Sequence, residues 1–164
     1  MRRQSGGSVT LETAIFLPVM MLLIVGMVQF GTITYTYYAL RNTVYTAARY
    51  LAVQRNTNFC DSDDPNITAA LNLAVTGTTD GTGAPLISNL TPGMLQVSTE
   101  CIVNGAVGVC DTSGCGVSPS LAARPDYVAV TIPNGYLVTP RLPFTTLNPI
   151  LLSPSALVPF GGTN

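Results

Sequence analysis

The chain has 164 residues, 47% of them hydrophobic and only 9% charged, far from the quarter or so that is usual in a soluble globule. A net charge of −1, with every one of the seven basic residues an arginine, offers no basic face to release counterions and argues against a nucleic-acid partner. Histidine, tryptophan and lysine are absent, which removes the commonest general base, the commonest metal ligand and the Schiff-base amine together. Glycine, proline, threonine, serine and asparagine supply the polar surface instead, a neutral skin suited to a secreted or assembled protein.

The first ten residues, MRRQSGGSVT, carry Arg2 and Arg3 and lead into an apolar run. From Thr13 to Leu40 no residue is charged, a longer stretch than the roughly 20 apolar residues that cross a bilayer as a helix. Glu12 stands at the lip of this run. A carboxylate there costs about 2–3 kcal/mol if it reaches the bilayer centre, so it needs a partner or a task. A cleaved secretory signal fits poorly, because the run is too long and no small-x-small site follows it. A twin-arginine signal lacks the hydrophobic residues expected directly after the pair. An uncleaved signal anchor is physically sufficient. Arg2 and Arg3 place the N-terminus in the cytoplasm, although Arg41 follows the span.

A fuller account covers Gly7, Ser8 and Glu12. Glycine, a small residue, and a glutamate at the fifth place after the glycine, opening an apolar helix, resemble the cleavage site of type IV prepilins. Cutting after Gly7 leaves Ser8 with a free amine, one helical turn from Glu12 on the same face. The resemblance implies that Glu12 neutralises such an amine, its own or a neighbouring subunit's, as the helix enters a filament. Pro18 removes one helical hydrogen bond and marks a kink.

Past Ile33 the pattern becomes amphipathic: Ile33, Tyr37, Leu40, Val44, Ala47 or Ala48, and Leu51 recur at helical spacing, with Arg41, Tyr45 and Arg49 on another face. One helix is expected from about Leu11 to Val53, roughly 60 Å long at 1.5 Å per residue. The wording VTLETAIFLPVMMLLIVGMVQFG and LRNTVYTAARYLAVQ is similar to the TadE-like pseudopilins of tight-adherence (Tad, or type IVc) pilus systems. The residues that carry this likeness are Glu12, Pro18, Gln29-Phe30-Gly31 and Ala47-Ala48-Arg49. Thr13 departs from it, standing where many Tad prepilins have an aromatic residue.

Beyond the helix, TNFCDSDDP reads as a solvated turn; Asp61, Asp63 and Asp64 lack the glycine and closing glutamate of an EF-hand. Pro65 opens a short helix that Gly77 closes. Residues 76–93 read as a flexible, linker-like loop. The triplets at Asn66 and Asn89 match the glycosylation pattern by chance. Met94 to Val103 alternates as a strand, with Leu95, Val97, Thr99, Cys101 and Val103 on one face. The cysteine-bearing segment NGAVGVCDTSGC reads as a loop. Tyr127 to Ile132 is a second strand, stopped by a Pro133-Asn134-Gly135 turn, and Gly135 to Thr139 continues as a third. The tail 147–160 is apolar but broken by prolines, at best a sheet edge.

Cys60, Cys101, Cys110 and Cys115 all follow the span, as disulfides in an oxidising compartment would. Cys110–Cys115 with Cys60–Cys101, and Cys101–Cys110 with Cys60–Cys115, are equally physical. No C-x2-C pair supports zinc.

The expected fold is thus α+β and pilin-like: a long membrane-spanning helix continuing into a small antiparallel-sheet domain. Its parts are a leader (1–7), a transmembrane half-stem (8–33), an extracytoplasmic amphipathic half-stem (34–56) and a disulfide-containing domain (57–164). No activating base, nucleophile elbow, phosphate loop or carboxylate pair points to an enzyme, and no cofactor or metal is implied. The resemblance implies a minor pilin or pseudopilin of the bacterial inner membrane, acting in pilus biogenesis and adhesion. Its partners would be the prepilin peptidase, the pilus assembly platform, membrane lipid, and other pilin subunits through the N-terminal helix. The alternative is an uncleaved, single-pass, membrane-anchored binding domain outside the cytoplasm.

Overall fold

The computed structural model describes residues 6–103, 105–110, 125–142 and 145–161. Cys115 and the first five residues, with Arg2 and Arg3, lie outside them. The expected α+β architecture is borne out: a long apolar helix, then a small antiparallel sheet. Helix α1 runs Gly6–Val53, 48 residues without a break, and α2 runs Pro65–Thr76. A short 3-10 turn, Pro92–Met94, leads into β1 (Gln96–Val103), β2 (Ala106–Val109) and β3 (Tyr127–Thr131). Next come β4 (Tyr136–Val138), β5 (Arg141–Leu142), β6 (Thr145–Thr146), β7 (Ile150–Leu152) and β8 (Ser155–Pro159).

The chain divides into two units. The first holds Met1–Tyr35 and Val138–Ile150; in it, β5 and β6 form a hairpin ribbon in which Arg141 faces Thr146. The second holds Thr36–Leu137 and Leu151–Asn164, and it contains the packed core.

That core follows from the amphipathic half of α1. Leu40, Val44, Ala47, Ala48 and Leu51 are completely buried, a stripe at three-and-four spacing. Ile67, Ala70, Ala74 and Val75 of α2 join it, with Val128, Val130 and Ile132 from β3 and its end, and Ala156 of β8. Arg41, Tyr45 and Arg49 face outward, as their spacing predicts. Tyr37, placed by periodicity on the buried stripe, is instead 40% exposed; the stripe runs through Leu40, Thr43 and Val44 instead.

The four-stranded sheet has the order β2-β1-β3-β8, all neighbours antiparallel. Register aligns Val97, Val130 and Ala156 across three strands on the core face. The proline-broken tail supplies β8, and it lies at the sheet edge. Proline is tolerated there because an edge has no ladder to complete on one side. Segment Ala106–Val109, read as loop, is a strand: Cys101 and Cys110 are joined by a disulfide (Cα–Cα 4.9 Å), and the Cys110 amide donates to the Thr99 carbonyl at 3.1 Å.

Residues 76–93 are not a flexible linker. Leu90 is 1% exposed, Ile87 packs against the same core, and the Leu86 amide donates to the Val75 carbonyl at 2.8 Å. The Tyr136 hydroxyl donates to the Ser88 carbonyl at 2.6 Å, so the loop is pinned from both sides. At its exposed tip the Asp80 carboxylate accepts hydrogen bonds from the backbone of Thr82 and the side chains of Thr78 and Thr82, which hold it below the usual carboxylate range.

The turn at Gly135 has a stereochemical demand. Its φ is +63°, and a Cβ added there would meet Leu151 Cγ at 2.5 Å and Ser153 Oγ at 2.8 Å. Gly135→Ala is expected to lower stability by about 1–3 kcal/mol, read as a fall in denaturant midpoint. Gly93→Ala, at a site with nothing within 4 Å, should change it by less than about 0.5 kcal/mol.

Candidate functional site

The candidate site is the N-terminal part of α1. Gly7 and Ser8 lie in its first turn, and Glu12 follows four residues after Ser8. Four residues of α-helix advance about 6 Å, which puts Glu12 one turn from the backbone nitrogen of Ser8. Glu12 is exposed, and it is the only charged side chain between Arg3 and Arg41.

Around and beyond it, every residue from Val9 to Ile24 is exposed, including Leu11 (68%), Ile15 (65%) and Phe16 (59%). The most apolar 18-residue window in Val9–Val53 is 0% buried. A helix apolar on all sides finds its counterpart in lipid or in other helices. Its hydroxyl groups are turned inward: Thr13 donates to the Val9 carbonyl at 2.7 Å and Thr32 to the Val28 carbonyl at 2.9 Å. Such bonds spare each hydroxyl an unsatisfied position in hydrocarbon. Pro18 sits inside α1, which continues through it. Without an N–H, Pro18 leaves the Ala14 carbonyl without its usual helical donor. The helix is long and apolar enough to serve as a single-pass anchor.

The cysteines lie in the other part of the chain. Cys101–Cys110 is formed, which excludes both Cys60–Cys101 and Cys110–Cys115. A closed loop of that size stabilises by about 2–3 kcal/mol. Cys60 is itself disulfide-bonded; Cys115 falls outside the described residues.

The acidic turn before α2 has a role that went unrecognised from the sequence. Asp64, 8% exposed, accepts the Asn66 amide at 2.8 Å and the Asn58 amide at 3.0 Å, so it caps α2 and ties down the preceding turn. Aspartate directly before a proline-opened helix was the available signal. Among the described residues, no group of three His, Cys, Asp or Glu side chains is placed to hold a metal ion. Asp126 acts similarly at the sheet: its carboxylate accepts the Ile102 amide at 2.6 Å where β1 has run past β3, and its carbonyl accepts the Phe160 amide at 2.8 Å.

No curated protein and no solved structure matches the chain. One family model does match, over residues 7–49, the span that holds Gly7, Ser8, Glu12, Pro18 and most of α1. By that match the N-terminal segment of this chain is similar to TadE-like proteins over residues 7–49.

Proposed function

We propose that the chain is a structural, non-catalytic subunit of a Tad-type type IV pilus, a minor pilin or pseudopilin acting in pilus biogenesis and adhesion. The observation that carries this reading is the coincidence of the TadE-like match at 7–49 with a helix that is bare and apolar at one end and forms a domain core at the other. Before assembly the bare end lies in the inner membrane with its N-terminus in the cytoplasm and the disulfide-containing domain outside. In a filament the same surface packs against the helices of other subunits, exchanging lipid contacts for protein contacts at little cost, because lipid tails and leucine side chains are equally apolar.

Processing completes the proposal. A prepilin peptidase cuts after Gly7, the new amine of Ser8 is a cation, and Glu12 is the one carboxylate within a turn of it. The assembly platform then lifts the helix out, with Pro18 as its point of flexure. Mass spectrometry of the intact protein from a host with an active prepilin peptidase should show a chain beginning at Ser8. A mass that includes residues 1–7 would overturn the pilus reading and leave the uncleaved anchor.

A further inference from the structure

Beyond its uncharged stretch, α1 presents a face that the core does not use. Tyr37 and Tyr38 are 40% and 61% exposed, with their rings edge-on at 6.1 Å. One turn after Tyr37 comes Arg41, the first cation past the apolar run. Tyr38, Arg41, Asn42 and Tyr45 form one wall of a hollow of about 450 Å³, and Ser155, Ala156 and Leu157 of β8 form the other. A second hollow, of about 430 Å³, shares Asn42 and Tyr45 and extends to Arg49. No acidic side chain lines either one.

We infer that the hollow at Tyr38, Arg41, Asn42 and Tyr45 holds the headgroup phosphate of an anionic phospholipid, in the leaflet from which α1 emerges. The inference rests on the reading of α1 as a membrane span. Continuity names the occupant: the helix surface that lipid would cover passes into this face within one uninterrupted helix. Tyrosine, with an apolar body and a polar tip, concentrates at headgroup level in membrane proteins. The guanidinium fork of Arg41 matches two phosphate oxygens, and the Asn42 amide and the tyrosine hydroxyls supply further donors. Leu157, 48% exposed, gives the opposite wall an apolar surface for the glycerol end of the lipid. Arg49 lies two turns further, about 12 Å along the axis, outside the reach of the same headgroup. The bound lipid would set the height at which the domain rides on the membrane before it is extracted.

The test uses the full chain in bilayers of mixed phosphatidylglycerol and phosphatidylcholine, first washed at alkaline pH and then released into mild detergent for native mass spectrometry. Wild type and Arg49→Gln should retain phosphatidylglycerol in preference to phosphatidylcholine, Arg41→Gln should retain about fivefold less, and excess inorganic phosphate should change nothing. The inference is overturned if Arg41→Gln behaves as wild type, if Arg49→Gln loses as much, if both lipids are retained equally, or if inorganic phosphate displaces the lipid and so reveals a free-anion site. A chain stripped from the bilayer by the alkaline wash would defeat the anchor itself, before any lipid is counted.

Discussion

Glu12→Ala is expected to reach the membrane at the wild-type level yet to reduce surface pili by one to two orders of magnitude. Removing the carboxylate makes insertion no harder, since a charge near hydrocarbon is a cost of about 2–3 kcal/mol when unpaired. What the variant would lose, under the proposed processing, is the pairing of Glu12 with the Ser8 amine. Opposite charges about 4 Å apart attract by roughly 4 kcal/mol at an effective dielectric of 20, partly offset by their desolvation. A net 1.4–3 kcal/mol per subunit corresponds to roughly a 10- to 100-fold change in incorporation. Sheared-pilus yield measures assembly, and membrane fractionation measures insertion. Glu12→Gln separates charge from shape: it should fail as alanine does, whereas Glu12→Asp should assemble in part. Normal pilus yield from the glutamine variant would rule out the role given to this acid.

The second large effect is on stability. Leu51→Ala removes a completely buried side chain from the stripe of α1 that packs on α2 and the sheet. Truncations of this kind cost about 2–5 kcal/mol, the spread reflecting how far the site collapses. A domain of this size has about 5–15 kcal/mol in total, so at the middle of both ranges the variant should lose about a third of its denaturant resistance. The midpoint of unfolding in mild detergent should fall at an unchanged slope. Val53→Ala, two residues along the same helix and 65% exposed, should stay within about 0.5 kcal/mol of wild type.

The helical stem was the most legible part, because two periodicities meet within it. Unbroken apolarity up to Ile33 reads as a rod without a preferred side, and Leu40, Val44, Ala47, Ala48 and Leu51 then read as a stripe; the structure buries that stripe completely. Local chemistry also showed where α2 stops, since Gly77 adopts the left-handed conformation that ends helices. Legibility failed where tertiary contacts decide. Ala106–Val109 mixes two strand-favouring valines with an alanine and a glycine that are not, and pairing with β1 makes it a strand. Leu90 sits among loop-forming residues, and only the three-dimensional core explains its burial. Tyr37 fits the helical stripe by count, but the buried face is centred elsewhere. In the candidate site, Gly7, Ser8 and Glu12 were singled out by the resemblance of their spacing to a prepilin cleavage site, and the fold adds that all three lie within α1.

The last strand is also the one that closes the core. β8 sets Ala156 against residues from α1 and α2, Phe160 stacks edge-on with Phe59 at 5.9 Å, and the Gly161 amide donates to the Ala52 carbonyl at 3.0 Å. Contacts between positions this far apart in sequence carry a heavy loop-closure entropy and form late. The apolar stripe of the stem therefore stays partly uncovered until β8, roughly a hundred residues further along the chain, has docked.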